Sequence, residues 1–176
     1  AILVATSHPE VKVLDQSGSP ITVLPVEQPV SKVKFAPDSD QIAIIVARDS
    51  QAAQVWDLQA KQVIYEARDL AGPVTDLFFT PLRGLVALSD ASGVWALHDY
   101  ERGEKVAQIK VQEKITAMNV HPDGLIYALG LESGRVQLFD IKDNAMAKEL
   151  EGPAAAPVER IEFSNKGTYM AVTWKA

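Results

Sequence analysis

The sequence repeats itself every 41 to 44 residues. Self-similarity at that length means copies of one small supersecondary unit stacked side by side, and it excludes most single-copy folds. Four segments open the units: Val30-Ser-Lys-Val-Lys-Phe35-Ala-Pro37, Val74-Thr-Asp-Leu-Phe-Phe79-Thr-Pro81, Ile115-Thr-Ala-Met-Asn-Val120-His-Pro122 and Val158-Glu-Arg-Ile-Glu-Phe163-Ser-Asn165. They start 44, 41 and 43 residues apart. Each reads as a short half-buried strand that ends in a turn signal. Proline stops three of them, because it fixes φ and offers no N–H to a ladder.

A second apolar strand follows each turn: 41–47, 85–88, 125–129 and 169–173. The connection is a tight hairpin, clearest at Asp123-Gly124. Gly84, Gly124 and Gly167 supply the permissive backbone for it. A third strand ends on an aspartate, in VKVLD, AQVWD, WALHD and VQLFD, at Asp15, Asp57, Asp99 and Asp140. Those aspartates are 42, 42 and 41 residues apart. A polar turn and a fourth strand (21–24, 62–65, 105–109, 147–150) complete the unit.

Four short antiparallel strands in 41 to 44 residues make one blade of a WD-repeat β-propeller. A β-sandwich also spaces short strands regularly, but it does not return the same residue types at a fixed period. The fold class expected is therefore all-β, with about four blades visible and a seven-bladed ring as the parent. The expected blade units are 1–29, 30–73, 74–114, 115–157 and an incomplete 158–176. The alternative is a small closed ring of four blades. The chain starts inside an apolar run without Met, which reads as a cut into a longer chain.

The recurrent residues have structural duties. Leu14, Trp56 and Phe139, each before the closing Asp, are expected to pack between adjacent blades. His98 breaks that series, and Trp95 is expected to fill its place. Each closing Asp is expected to accept backbone N–H bonds in the turn that follows.

Composition narrows the function. The 176 residues carry 17 Lys plus Arg against 23 Asp plus Glu, a formal charge of −6. Basic residues stand singly or in loose pairs, which argues against direct nucleic-acid binding. There is no Cys, so disulfides, thiolate zinc sites and cysteine nucleophiles are excluded. No apolar run approaches the roughly 20 residues of a membrane-spanning helix, and the N-terminus is no signal peptide.

No catalytic, metal or cofactor set is expected. His8, His98 and His121 show no HxH or HExxH spacing. There is no Walker A sequence and no GxSxG elbow. Asp38 and Asp40 fall at the turn after Pro37, without the flanking aromatics of a glycosidase pair. Ser89-Asp90 and Ser92-Gly93 are explained by hairpin chemistry. Binding remains, carried on loops held by a rigid scaffold. Arg48, Arg68, Arg83, Arg102 and Arg135 supply one candidate per loop or turn, since Arg is favoured at interfaces. No particular binding residue is singled out among them.

The stretch Ile115-Thr-Ala-Met-Asn-Val-His-Pro-Asp-Gly-Leu-Ile-Tyr-Ala-Leu-Gly130 resembles the segment that opens a blade in the pre-mRNA-processing factor nineteen family. Ser133 to Lys142, Gly93 to Asp99 and Phe163 to Ala171 resemble neighbouring parts of the same propeller. The resemblance implies a spliceosomal U-box ubiquitin ligase of the nucleus. Its propeller would act as a scaffold that binds spliceosomal proteins of the nineteen complex and ubiquitination substrates. It further implies a catalytic U-box and a tetramerising coiled coil, neither of which is visible in these residues. The usual Gly-His before the first strand is absent, with Gly72-Pro73 and Gly152-Pro153 nearby instead. The buried Asp-His-Ser-Trp network of many WD blades is therefore not expected, and Trp56-Asp57 is the only full WD pair. The alternative function is a WD-repeat scaffold of another multiprotein complex with no ligase link.

Overall fold

The computed structural model describes residues 2–5, 10–37, 39–47, 51–153 and 156–175, with the side chains of 2–5 and 39–47 excepted. Every regular element among them is a β-strand. The chain divides into two compact units, 1–69 and 70–176.

The first unit holds two antiparallel sheets. One is three-stranded, built from β1 (Ile2–Ala5), β2 (Val11–Leu14) and β3 (Pro20–Leu24). The other is four-stranded: β4 (Val30–Ala36), β5 (Ser39–Ala47), β6 (Ala53–Asp57) and β7 (Gln62–Ala67). Val11, Val13 and Leu24 of the first sheet share one core with Val30, Trp56 and Leu58 of the second. Trp56 thus packs between sheets as its position predicts. Leu14 is half-buried and outside that core. In strand β2 the pleat points Val11 and Val13 toward the second sheet and Leu14 away from it.

The second unit holds three sheets. The first comprises β8 (Val74–Phe79), β9 (Leu85–Asp90), β10 (Val94–Asp99) and β11 (Glu104–Lys110). The next comprises β12 (Ile115–Val120), β13 (Ile126–Leu131), β14 (Val136–Asp140) and β15 (Ala145–Leu150). The last is the pair β16 (Val158–Phe163) and β17 (Met170–Trp174). Within each sheet, strands pair in chain order, as a blade requires.

One apolar core joins the β8–β11 and β12–β15 sheets through Ala87, Trp95, Leu97, Met118, Tyr127 and Phe139. Trp95 meets Tyr127 edge-on at 4.5 Å between ring centroids. Trp95 therefore does not fill the place of His98. It shares the Leu97 face, while His98, one residue on, is buried on the opposite face of β10. Another core joins β12–β15 to β16–β17 through Ala117, Ala128, Val136, Val158 and Ile161.

The closing aspartates behave as their sequence position implies. Asp15 Oδ1 accepts the Ser17 and Ser19 amides, Asp57 those of Gln59 and Ala60, and Asp99 those of Glu101 and Arg102. Asp140 accepts the Lys142 amide. Each carboxylate satisfies amides that the β-ladder leaves open at that turn. The Ser17 hydroxyl and the amides around it hold Asp15 below the usual carboxylate range.

A feature with no signature in the residues recurs in every complete sheet. The pairing of third and fourth strands slips one residue before the closing Asp, at Val13/Leu14, Val55/Trp56, Leu97/His98 and Leu138/Phe139. First and second strands slip at Val30/Lys32, Val74/Asp76, Ile115/Ala117 and Val158/Arg160. Such bulges add right-handed twist at repeated places, so each sheet is twisted alike.

Candidate interaction surface

Each sheet has two ends. At one lie the lead-in loop to the first strand and the turn between second and third strands. At the other lie the first-to-second turn and the turn that follows the closing Asp. In the unit 70–176, the first of these ends is built by carboxylates.

Asp90 closes β9 and is fully buried. Its Oδ1 accepts the amides of Ser92 and Val94 at 2.9 Å and the Ser92 hydroxyl at 2.8 Å. Its Oδ2 accepts the amides of Ala71 and Gly72 in the lead-in loop, at 2.8 and 2.9 Å. Burial alone would push this carboxyl up. The bonds from Val94, Ser92, Gly72 and Ala71 outweigh it and hold Asp90 below the usual carboxylate range. One anion thus ties turn to loop where the resemblance led to no histidine-centred network. Beside it, the Thr75 and Ser89 hydroxyls share a hydrogen bond at 3.0 Å.

The next sheet makes the same tie in the reverse direction. Here the carboxylate stands on the lead-in loop, and Glu113 Oε2 accepts the Ser133 amide at 2.9 Å. Arg135 bonds Glu113 with one guanidinium nitrogen and Glu149 Oε1 with another, the latter at 3.2 Å. Its Nε reaches Ser133 Oγ at 3.2 Å. Gln137 donates to the second oxygen of Glu149. Burial would raise the Glu113 carboxyl, but the bonds from Ser133 and Arg135 pull it below its ordinary range. Those with Glu113, and the charge of Glu149, push the Arg135 guanidinium up. Arg135, Gln137, Glu113, Lys110 and Phe139 line a groove of about 260 Å³. Neighbouring sheets are stitched across: Thr116 Oγ1 donates to Val158 O at 2.7 Å, Asn119 Nδ2 to Ile161 O at 2.7 Å, and Trp174 Nε1 to Gly134 O at 2.7 Å.

The opposite end carries Arg83, Arg102 and His121. Arg83 Nε lies 3.2 Å from Glu101, and Arg102 Nε lies 3.6 Å from Asp99. His121 Nδ1 lies 2.8 Å from Asp123, its Nε2 is 3.3 Å from Gly167 O, and its ring meets Phe163 edge-on at 5.2 Å. Burial would raise the Asp123 carboxyl, but the Leu125 amide and His121 hold it low.

The candidate arginines are therefore not gathered into one site. Arg83 and Arg102 share one end of their sheet, and Arg135 stands at the other end of the next. Arg68 belongs to the unit 1–69, where it pairs with Glu66 at 2.6 Å. Arg48, His8 and Asp38 lie outside the described residues, as does the side chain of Asp40. His98 is buried within β10. Ser92 and Gly93 do form the β9–β10 turn. Asp90 does more than turn chemistry, since it also holds the lead-in loop. Sequence reading missed that role, and it missed Glu113, Glu149 and Gln137. The strand pairing contained part of the signal, because it sets Gln137 opposite Glu149.

Among the described residues, no three His, Cys, Asp or Glu side chains are grouped to hold a metal ion. What the geometry offers is recognition: loop backbone clamped by carboxylates presents fixed donors and acceptors at little entropic cost on binding.

No protein-family model matches the chain. It is 27% identical over 148 residues to pre-mRNA-processing factor 19 homolog 2 of Arabidopsis thaliana, covering 81% of this chain and 28% of that protein. It is 36% identical over 70 residues to pre-mRNA-processing factor 19 of Schizosaccharomyces pombe, covering 39% of this chain and 14% of that protein. Telomerase protein component 1 of Rattus norvegicus is 26% identical over 143 residues, 81% of this chain but 5% of that protein. The chain thus spans less than a third of the relatives it matches. Its fold is the WD-repeat β-propeller class, and its sequence is similar to pre-mRNA-processing factor 19 proteins of several organisms.

Proposed function

We propose that this chain is the partner-binding propeller part of a scaffold acting in nuclear pre-mRNA splicing, within a spliceosomal ubiquitin ligase. The observation that carries the reading is the breadth of the similarity. It runs through 81% of the chain in plant and Dictyostelium discoideum pre-mRNA-processing factors, not through one His-Pro-Asp-Gly turn. The carboxylate-clamped loops supply a surface suited to binding proteins. On this reading 1–176 is a partial propeller with blade units 1–29, 30–73, 74–114, 115–157 and 158–176, belonging to a seven-bladed ring. The partners are spliceosomal proteins of the nineteen complex and ubiquitination substrates. The transferase chemistry resides in a U-box elsewhere in the parent, which tetramerises through a coiled coil.

A second reading is a WD-repeat scaffold of another complex, with no ligase link. The similarity to telomerase protein component 1 favours it. Affinity purification of the full-length parent from nuclear extract separates the two. Splicing factors that co-purify, and ubiquitin transfer by the same preparation, support the first. A parent that recovers a defined complex without any splicing protein supports the second.

A further inference from the structure

The groove at Arg135 has a counterpart in the unit 1–69. Gln54, Trp56 and Glu66 stand 83 residues before Gln137, Phe139 and Glu149. The register is the same, with Gln54 opposite Glu66 and Gln137 opposite Glu149, and with a bulge just before Trp56 and Phe139. The groove is about 290 Å³ and is lined by Val26, Glu27, Gln54, Trp56, Val63 and Glu66 among others. Trp56 replaces Phe139, and the basic position differs as well. Where the later groove has the Arg135 guanidinium on Glu149, this one has the methyl group of Ala52.

We propose that this groove takes an arginine side chain from a partner protein. The carboxylates of Glu66 and Glu27 present acceptors to a planar guanidinium, and Trp56 forms the apolar wall beside it. Trp56 Nε1 donates to Gln54 Oε1 at 3.1 Å, which fixes the indole. Arginine suits such a site better than lysine, because its fork bonds carboxylates in a plane. Among the described residues, the groove wall contains no basic side chain. Arg68, which is largely exposed, holds Glu66 from the end of the same strand and acts as an internal competitor. The flanks specify the neighbours of that arginine. β7 ends its sheet, and Val63 and Ile64 on it are exposed at 40% and 42%. An end strand without lysine that carries exposed aliphatics favours an extended segment with aliphatic residues beside the arginine.

The inference does not depend on the splicing reading, and its test uses no splicing component. The full chain is labelled with ¹⁵N and titrated with acetyl-Val-Arg-Val-amide, its lysine counterpart and its citrulline counterpart. The Trp56 indole N–H resonance is followed. The arginine peptide shifts it saturably, while the uncharged citrulline peptide binds about tenfold more weakly or worse. Glu66→Gln weakens the arginine response by about tenfold. Ala52→Arg fills the groove from within, abolishes the response and raises Tm. Equal binding of the citrulline peptide overturns the proposal, as does an undiminished arginine response in folded Glu66→Gln or Ala52→Arg.

Discussion

Asp90 shows how much one side chain can do in a small blade. It is a buried anion with five donors, and each donor would otherwise need another partner. Asp90→Asn places an amide N–H₂ against backbone N–H groups. It should cost about 2 kcal/mol at pH 7, read by urea unfolding. The pH dependence has a definite sign. A carboxyl held below its unfolded value of about 3.9 stabilises the fold above that pH and loses its contribution as pH falls through the folded value. The gap between wild type and Asp90→Asn should therefore be widest at neutral pH and close below about pH 4. Tyr127 is the opposite case. Its hydroxyl is buried without a hydrogen-bond partner among the described residues, and burial pushes the phenol up. Removing an unpaired buried hydroxyl removes a penalty, so Tyr127→Phe should raise stability by about 1 kcal/mol, seen as a higher Tm.

Among elements, the turns are the most demanding. Gly93 has φ of +89°, and a Cβ there would come within 2.8 Å of Val111 O and closer still to Glu113 O. Gly93→Ala combines left-handed strain with backbone collision, and the lead-in loop at 111–113 must shift. A loss of about 2 kcal/mol is expected in thermal or urea unfolding, beyond the ordinary cost of alanine at positive φ. The strands themselves were legible. Their spacing, the prolines that stop them and the closing aspartates all follow from local chemistry. Trp95 shows where such reading ended. It was expected to take the place of His98, three residues on. Strand pleat alternates faces residue by residue, so Trp95 joins Leu97 in the core with the next sheet while His98 faces the other way.

At the level of the molecule, sheets depend on neighbours. Trp95 is fully buried in a core drawn from two sheets of the unit 70–176. Trp95→Ala should cost about 3–5 kcal/mol. Hydrogen exchange should then show β9, β10, β13 and β14 losing protection together; loss confined to β10 would contradict a shared core. The candidate surface was less legible than the strands. Arg135 was visible as a charged loop residue, yet its pairing with Glu113 and Glu149 depends on groups 22 and 14 residues away.

The sequence alone determined the repeat, the strand order within each unit and the residues that end each strand, because these rest on contacts among near neighbours and on backbone sterics. Only the tertiary structure decided which face each strand buries, where the ladders bulge, and that Asp90 and Glu113 perform one task from opposite sides. Those outcomes depend on how a side chain meets atoms a full strand or more away, and no local pattern of residue types carries that distance.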